Sequence, residues 1–258
     1  MKHENGIQHE PYKASTNGNA IDVEHLKLSF GEQDVLVDVS LNLAHKENLV
    51  VMGKSGTGKS VLIKCIVGLM NPDAGSVKIF GNEINGIGYS ELNELRKRIG
   101  FLFQGAALYD SMSVKDNLTF PLLHHRKKMK KDEMESLIDT VLENVGLADA
   151  KDKMPSQLSG GMRKRIGLAR TLIPGPEIML YDEPTTGLDP VTSREISELI
   201  NEVRQKYNTT SIIITHDIAC ARMTADRILL LKDGRVYQSG TFDEFSSSSD
   251  PWIQSFFI

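Results

Sequence analysis

An unbroken apolar run at residues 49–52 leads directly into a glycine-rich segment of the form GxxxxGKS at residues 53–60. Apolar runs without polar alternation are typical of strands that are covered on both faces, as in parallel sheets. After this segment, apolar residues recur at helical spacing at Leu62, Ile63, Ile66 and Val67. The sequence therefore predicts a strand, a phosphate-binding loop and a helix in succession, which is the beginning of an α/β fold.

The glycine-rich segment has the residue types that bind a nucleoside triphosphate. Glycines at positions 53, 56 and 58 allow the main chain to approach a phosphate and direct successive N–H groups towards its oxygens. The positive N-terminal end of the following helix adds to this field. Lys59 supplies a charge for the β- and γ-phosphates, and Ser60 offers a hydroxyl to Mg²⁺. The alternative is a glycine-rich turn that only precedes a helix.

Two more apolar strands end at residues with reactive side chains. Residues 178–181 precede Asp182 and Glu183, and residues 211–215 precede His216. Because ligands of parallel sheets bind beyond the carboxyl ends of the strands, we expect these ends and the phosphate loop to converge on one pocket. Asp182 is suited to hold Mg²⁺, Glu183 to act as general base on the attacking water, and His216 to hydrogen-bond the γ-phosphate. The alternatives are a solvated acidic strand end and a structural histidine.

Strand signals disappear between about residues 105 and 173, which predicts a helical subdomain inserted between the phosphate loop and the acidic strand. One predicted helix stops at Gly146, and a second begins at Ser159, whose side chain can cap it, and ends before Pro174. Gln104 lies directly before the insert. It is suited to contact Mg²⁺ or water and so to link the pocket to the insert, whereas a plain surface glutamine is the alternative.

The segment LSGGM at residues 158–162 forms a second anion site. Ser159, Gly160 and Gly161 stand at the start of a helix, where main-chain N–H groups and the helix dipole attract phosphate. They lie too far along the predicted fold to reach the phosphate loop of the same chain easily. We therefore expect a head-to-tail dimer in which this segment of each copy closes on the ATP held by the other. The alternative is a glycine-rich helix cap.

The phosphate loop, the LSGGM segment and the acidic strand, in this order, resemble the ATP-binding subunits of ABC transporters over about residues 21–245. The resemblance implies a P-loop NTPase fold of the α/β class: a mostly parallel sheet flanked by helices, an antiparallel β subdomain and the inserted helical subdomain. It also implies ATP and Mg²⁺ as cofactors. Met162 departs from the commonest family signature, which has glutamine there. This departure leaves phosphate contact possible, because the contacts come from Ser159 and main-chain N–H groups.

The same resemblance assigns roles to individual residues. The implied catalytic residues are Glu183, His216 and Gln104, and the implied metal ligands are Ser60, Gln104 and Asp182. The residues implied to bind the nucleotide are Phe30, which stacks on adenine, together with Gly53, Lys54, Ser55, Gly56, Thr57, Gly58, Lys59, Ser60, Val61, Ser159, Gly160, Gly161 and Asp189.

Residues 103–110, 117–122 and 183–190, together with the LSGGM signature, resemble the ATPases of Mce/Mla-type lipid transporters. This resemblance implies phospholipid transport between the inner and outer membranes of a bacterium. The implied partners are a second copy of the chain, an integral membrane permease and an Mce-domain lipid-binding protein. The chain would lie on the cytoplasmic face of the inner membrane, bound through the permease. The alternatives are an ABC ATPase for an amino acid or another small solute, and a soluble ABC protein without a transport role.

Charge and hydropathy limit the remaining partners. The chain has 30 Lys+Arg against 34 Asp+Glu, a net charge of -4, which provides no basic footprint for nucleic acid. No apolar run approaches the ~20 residues that span a bilayer.

We expect residues 1–19 to be a mobile polar leader, residues 20–249 the ATPase domain and residues 250–258 an apolar tail. The tail packs on its own domain or docks on the neighbouring ATPase. The basic run at 126–131, which acids follow, predicts a solvated helix entry.

Overall fold

The computed structural model of this protein describes residues 18–125 and 129–257. Residues 1–17 of the predicted leader and residues 126–128 of the basic run lie outside the described residues. Within the described parts, no helix is both long and apolar enough to cross a membrane. The domain boundaries given above stay predictions.

The described chain alternates strands and helices. The strands are β1 (Ile21–Phe30), β2 (Gln33–Leu43), β3 (Asn48–Met52), β4 (Ala74–Ile79), β5 (Asn82–Glu83), β6 (Ile99–Leu102), β7 (Ile178–Asp182), β8 (Thr210–Ile214), β9 (Arg227–Lys232) and β10 (Arg235–Gly240). The helices are α1 (Lys59–Ile66), α2 (Tyr89–Arg96), α3 (Val114–His125), α4 (Lys131–Asn144), α5 (Gly160–Leu172), α6 (Pro190–Tyr207), α7 (Ile218–Thr224), α8 (Phe242–Ser246) and α9 (Pro251–Gln254).

The strands form one sheet in the order β5-β4-β1-β2-β10-β9-β3-β8-β7-β6. The five strands from β9 to β6 are parallel, so that Val50 on β3 pairs with Ile213 on one side and Ile228 on the other. Strands β5, β4, β1 and β2 are antiparallel, and β10 joins the two blocks. The predicted α/β architecture with a parallel core and an antiparallel β subdomain is confirmed, although the sheet as a whole is mixed.

Both faces of the parallel block are covered, which explains the unbroken apolar run in β3. Side chains of a strand alternate between the two faces of its sheet. Val50 and Met52 accordingly pack into one core cluster with helices of the insert and α6, whereas Leu49 and Val51 pack into another with α1 and the antiparallel strands. All five residues of β3, of β7 and of β8 are buried.

The segment between β6 and β7 contains only helices in its described residues, namely α3, α4, α5 and two short 3₁₀ turns. Helix α4 ends at Asn144, Val145 is its C-cap, and Gly146 follows with φ 69°, which agrees with the predicted stop at Gly146. Helix α5 begins after Ser159, whose side chain accepts a hydrogen bond from the Met162 main-chain N–H at 3.2 Å. The predicted cap at Ser159 is therefore confirmed.

Tyr181 on β7 is fully buried, and its hydroxyl has no hydrogen-bond partner among the described residues. Burial raises the pKa of this hydroxyl, so it stays neutral. We expect Tyr181→Phe to raise the free energy of unfolding by about 1 kcal/mol, because it removes a desolvated oxygen without leaving a cavity. Urea unfolding measures the change. Tyr207→Phe is the control: its hydroxyl accepts a hydrogen bond from Asn144, so its loss is expected to destabilise the fold. Equal losses in both variants would contradict the prediction.

Candidate active site

The carboxyl ends of β3, β7 and β8 open into one cavity of about 630 Å³. Residues from the phosphate loop and from the ends of three strands meet here. The predicted site residues that line the cavity are Gly53, Lys54, Ser55, Gly56, Gly58, Lys59, Ser60, Val61, Gln104, Glu183 and His216. The predicted convergence of these strand ends on one pocket is therefore confirmed.

The phosphate loop encloses the ammonium of Lys59. Gly58 adopts φ 93°, a left-handed conformation that favours glycine, and α1 begins at the next residue without a side-chain cap. The first main-chain N–H groups of α1 therefore remain available to an anion. Lys59 Nζ donates hydrogen bonds to the main-chain oxygens of Gly53 at 2.9 Å and Lys54 at 3.0 Å. Burial lowers the pKa of Lys59, while the charges of Glu183 and Asp182 oppose this shift.

Ser60 and Asp182 form the second part of the site. The Ser60 hydroxyl donates a hydrogen bond to Asp182 Oδ1 at 3.0 Å, although 122 residues separate them. Burial raises the pKa of the Asp182 carboxyl, and the hydrogen bond from Ser60 partly offsets this shift. Oxygen ligands suit Mg²⁺, which commonly binds one or two protein side chains together with substrate phosphates. The Ser60 hydroxyl and the Asp182 carboxylate are two such oxygen donors side by side, so this pair fits a Mg²⁺ ion of this kind.

Glu183 directly follows β7 and has φ 50°, which is strained for a residue other than glycine. Its main-chain N–H donates to the oxygen of Ile214 at 2.9 Å, which joins this residue to the end of β8. Its carboxylate accepts a hydrogen bond from the Thr186 hydroxyl at 2.9 Å and lies 2.8 Å from His216 Nδ1. The carboxylate is therefore held in one orientation at the edge of the cavity. Such local strain is concentrated at functional sites.

Sequence reasoning missed Lys164, which lies behind the cavity on α5. Its Nζ donates to the main-chain oxygens of Gln104 at 2.6 Å and Glu183 at 3.0 Å. A signal was present in the sequence: Lys164 precedes Leu168 and Leu172 at intervals of four, which places it on the buried stripe of α5. A lysine in such a stripe needs a polar partner.

The C-terminal segment also contributes to the cavity, through Ser255 and Phe256. Ile253 is fully buried, and the Trp252 ring meets the Tyr237 ring edge-on with a centroid distance of 4.8 Å. Phe257 packs similarly against Phe242 of α8. In this structure the tail therefore packs on its own domain, which is the first of its two predicted positions. Val35 and Thr186 also line the cavity and were not predicted.

The remaining predicted residues lie outside the cavity lining. Phe30 ends β1 with 51% of its surface exposed, and the Thr57 hydroxyl donates to the Lys54 main-chain oxygen at 2.9 Å. Ser159 and Gly160 are exposed at the start of α5. Asp189 caps α6, and a hydrogen bond from Thr192 lowers the pKa of its carboxyl.

The starts of α5 and α6 touch each other at Gly161. A Cβ atom added to Gly161 would lie 2.5 Å from Thr192 Cγ2, so any larger residue would force the Thr192 side chain to move. The LSGGM signature and Asp189 therefore occupy one surface, apart from the lining of the cavity in the same chain. Their nucleotide-binding roles, and that of Phe30, stay predictions.

Comparison with known proteins shows what this chain is similar to. The family described as ABC transporter matches residues 36–186. The probable ribonucleotide transport ATP-binding protein mkl of Mycobacterium leprae (strain TN) is 40% identical over 239 residues, which cover 93% of this chain and 69% of that protein. The protein TRIGALACTOSYLDIACYLGLYCEROL 3, chloroplastic, of Arabidopsis thaliana is 40% identical over 245 residues, which cover 88% and 70%. The methionine import ATP-binding protein MetN of Brucella abortus (strain 2308) is 36% identical over 242 residues, which cover 93% and 65%.

Two solved structures extend the comparison to three dimensions. One is a dimeric post-hydrolysis state of the ATP-binding cassette MJ0796 bound to ADP and Pi, with a TM-score of 0.79 and 32% identity. The aligned part covers 86% of this chain and 98% of that chain. The other is cbiO1 from Clostridium perfringens, part of the ABC transporter complex cbiONQ, with a TM-score of 0.81 and 30% identity. It covers 88% of this chain and 90% of that chain.

Proposed function

Because this chain belongs to the ABC transporter family, we propose that its ATP hydrolysis drives a permease that moves phospholipid between the inner and outer membranes of a bacterium. The chain is an ATPase with the fold of the ATP-hydrolysing cassettes, and it uses ATP and Mg²⁺.

The arrangement around Glu183 supports a role in activating water. Its carboxylate is held by Thr186 and His216 at the edge of the cavity that the phosphate loop lines, and this observation carries the proposed mechanism. Glu183 orients the attacking water and accepts its proton, while His216 keeps the carboxylate in place and contacts the γ-phosphate. Phosphoryl transfer needs mainly such positioning and charge stabilisation, without a covalent intermediate.

The phosphate loop and its neighbours supply the charge. Main-chain N–H groups of the loop and Lys59 bind the phosphates. Ser60 and Asp182, together with Gln104 of the cavity lining, would hold Mg²⁺. When bound, this ion would supply positive charge that neutralises the phosphate oxygens.

A head-to-tail dimer would complete the site. The LSGGM signature lies apart from the cavity of its own chain, and the similar cassette MJ0796 forms dimers. In the proposed dimer, Ser159 and the start of α5 of one copy cover the ATP held by the other copy. The two contacts are reciprocal, as two-fold symmetry requires. Phe30 stacks on the adenine within each site.

The permease would dock beside the insert, in a groove of about 370 Å³ that we call the insert groove. Its lining includes Phe101 of β6, Tyr109, Phe120, Pro121 and Arg170 of α5. Tyr109 is 44% exposed, and its ring meets the Phe120 ring edge-on with a centroid distance of 5.1 Å. Exposed apolar surface beside a groove is typical of a protein interaction site.

Buried Asn117 fixes the shape of the insert groove. Its side chain accepts a hydrogen bond from the Tyr109 main-chain N–H at 2.8 Å. It donates to the main-chain oxygens of Tyr109, Met112 and Ser113 at 3.0–3.1 Å. The amide of Asn117 thus holds the loop that presents Tyr109.

The lipid cargo is supported by where the resemblance lies. Residues 103–110 and 117–122, which resemble Mce/Mla-type ATPases, contribute Tyr109, Phe120 and Pro121 to the insert groove. The cargo passes through the permease and does not contact this chain. A relation between this chain and its cargo would therefore be found in the residues that contact the permease. The Arabidopsis relative is also named after a glycolipid. An Mce-domain protein is the proposed third partner, and the cytoplasmic face of the inner membrane is the proposed location.

A small-solute importer is the second candidate, because a protein named for methionine import is 36% identical to this chain. The mycobacterial relatives are named for ribonucleotide transport, which is a further cargo in the same class. A soluble ABC protein without a transport role is the most distant alternative. The lipid transporter, the small-solute importer and the soluble protein would share the same ATPase chemistry and differ in the partner of this chain.

Isolation of the complex from its native membranes decides between these candidates. We expect a tagged chain to copurify with a permease, an Mce-domain protein and phospholipid, all identified by mass spectrometry. Tyr109→Ala with Phe120→Ala is expected to release the permease, whereas Tyr89→Ala, which changes an aromatic residue with 78% exposure outside the insert groove, is expected to retain it. Copurification of a solute-binding importer without an Mce-domain protein would contradict the lipid proposal.

A further inference from the structure

Lys164 is a buried cation whose hydrogen bonds join two loops of the active site. Only 6% of its surface is exposed. Its Nζ donates to the main-chain oxygen of Gln104, which follows β6, and to that of Glu183, which follows β7. Sixty residues along the chain separate Lys164 from the first partner and nineteen from the second. One ammonium group therefore bonds α5 to the ends of two adjacent strands.

The surroundings of this ammonium distinguish it from an ordinary surface lysine. Burying a charge is costly unless the charge is hydrogen-bonded or paired. Burial lowers the pKa of Lys164, and the charges of Glu183 and Asp182 oppose this shift. The same acids that face the nucleotide site therefore partly offset the cost of burying this ammonium group. Its hydrogen-bond partners in the described chain are both main-chain carbonyls.

The two ends of Glu183 are held by different groups. Its carboxylate is held by Thr186 and His216, and its main-chain oxygen accepts the hydrogen bond from Lys164. The Glu183 backbone, which connects the carboxylate to this main-chain oxygen, has φ 50°. A non-glycine residue keeps such a conformation only where its surroundings enforce it. The bond from Lys164 is one of these constraints, so its loss would let the residue relax and move the carboxylate.

We propose that Lys164 is a positioning residue for ATP hydrolysis: through the main chain of Glu183 and Gln104 it fixes the catalytic carboxylate against the cavity. Lys164 stands five residues after Ser159 on α5, about 7.5 Å along the helix axis. The helix that presents the LSGGM signature is therefore bonded directly to the catalytic loop of its own chain. In the dimer proposed above, α5 would therefore connect the two ATP sites, and this connection rests on that dimer.

The test compares two neighbouring cations of α5 in the purified full-length chain with its membrane partner. Lys164→Met removes the bonds to Gln104 and Glu183. We expect kcat for ATP hydrolysis to fall by about 10- to 100-fold, because small displacements of a catalytic group have effects of this size. The KM for ATP and the affinity for ATP should change by less than about threefold, since the phosphate loop is intact.

Arg165→Met is the matched control. Arg165 also donates two hydrogen bonds, to the main-chain oxygen of Val145 after α4 and to the carboxylate of Glu195 on α6, and neither partner lines the cavity. We expect its kcat to stay near that of the native chain, even if its melting temperature falls. Lys164→Arg keeps a cation with several donors and is expected to restore most of the activity.

A double-mutant cycle identifies the residue through which Lys164 acts. In a Glu183→Gln background, single-turnover measurements should show little further loss from Lys164→Met, because the two substitutions affect the same group. Independent, multiplicative losses would overturn the proposal, and so would native kcat in Lys164→Met. Equal losses in Lys164→Met and Arg165→Met would assign Lys164 a merely structural role. If Lys164→Met does not fold, Lys164→Gln, which keeps a donor but not the reach or the charge, must show the same separation of kcat from KM.

Discussion

Glu183→Gln is expected to slow ATP hydrolysis by about 10²–10⁴ while ATP affinity is retained, since this is the usual contribution of a general base. Glutamine has nearly the same shape, and its amide oxygen can still accept the hydrogen bond from Thr186. It carries no charge and cannot accept a proton from the attacking water. Binding depends instead on the phosphate loop and Lys59, which the substitution leaves unchanged.

Single-turnover hydrolysis and equilibrium ATP binding, measured on the same preparation, separate the two effects. Glu177→Gln is the control, because Glu177 is an acid just before β7 that pairs with Arg98 outside the cavity lining. The Glu177→Gln variant should hydrolyse ATP at the native rate. Turnover at full speed in Glu183→Gln would remove the assignment of Glu183 as the base.

Lys59→Ala is expected to weaken ATP binding, whereas Glu183→Gln slows ATP hydrolysis. The ammonium is the charged group inside the loop, and a hydrogen bond to a charged partner contributes about 1.5–3 kcal/mol. At 1.4 kcal/mol for each tenfold change, ATP affinity should fall by about 10- to 100-fold. The substitution also leaves the main-chain oxygens of Gly53 and Lys54 without their donor.

Titration with a fluorescent ATP analogue measures the affinity, and circular dichroism checks the fold. Lys64→Ala removes a cation of the same helix, little more than one turn further along α1 and outside the cavity lining. Its ATP affinity should stay within about threefold of the native value. Native affinity in Lys59→Ala, with hydrolysis lost, would instead place the role of Lys59 in the chemical step.

Local patterns made the core of the site predictable. The strand at residues 49–52, the loop after it and α1 are contiguous, so apolar periodicity and glycine spacing were sufficient to identify them. The predicted strand at residues 211–215 lies one residue earlier, at Thr210–Ile214, and Asp182 is the last residue of β7 rather than the first after it. Such shifts at strand ends are within the precision of periodicity arguments. The meeting of three strand ends followed from the general rule for parallel sheets.

Contacts between distant segments could not be predicted in this way. Lys164 is sixty residues from Gln104, and its periodicity on α5 indicates a buried lysine without naming its partners. Ser255 and Phe256 line the same cavity as the phosphate loop although about 200 residues separate them along the chain, and no local pattern specifies this. The position of the LSGGM signature away from its own cavity was anticipated only from its place in the insert.

The order of motifs along the chain determined the fold class, the reaction and the residues that we propose to contact phosphate, because main-chain geometry and charge within a few residues decide them. The tertiary structure decided which group holds each of these residues in place: His216 and Thr186 on the Glu183 carboxylate, and Lys164 on its main chain. The physical reason is that hydrogen-bond partners of buried groups are set by the packing of elements that are far apart in sequence.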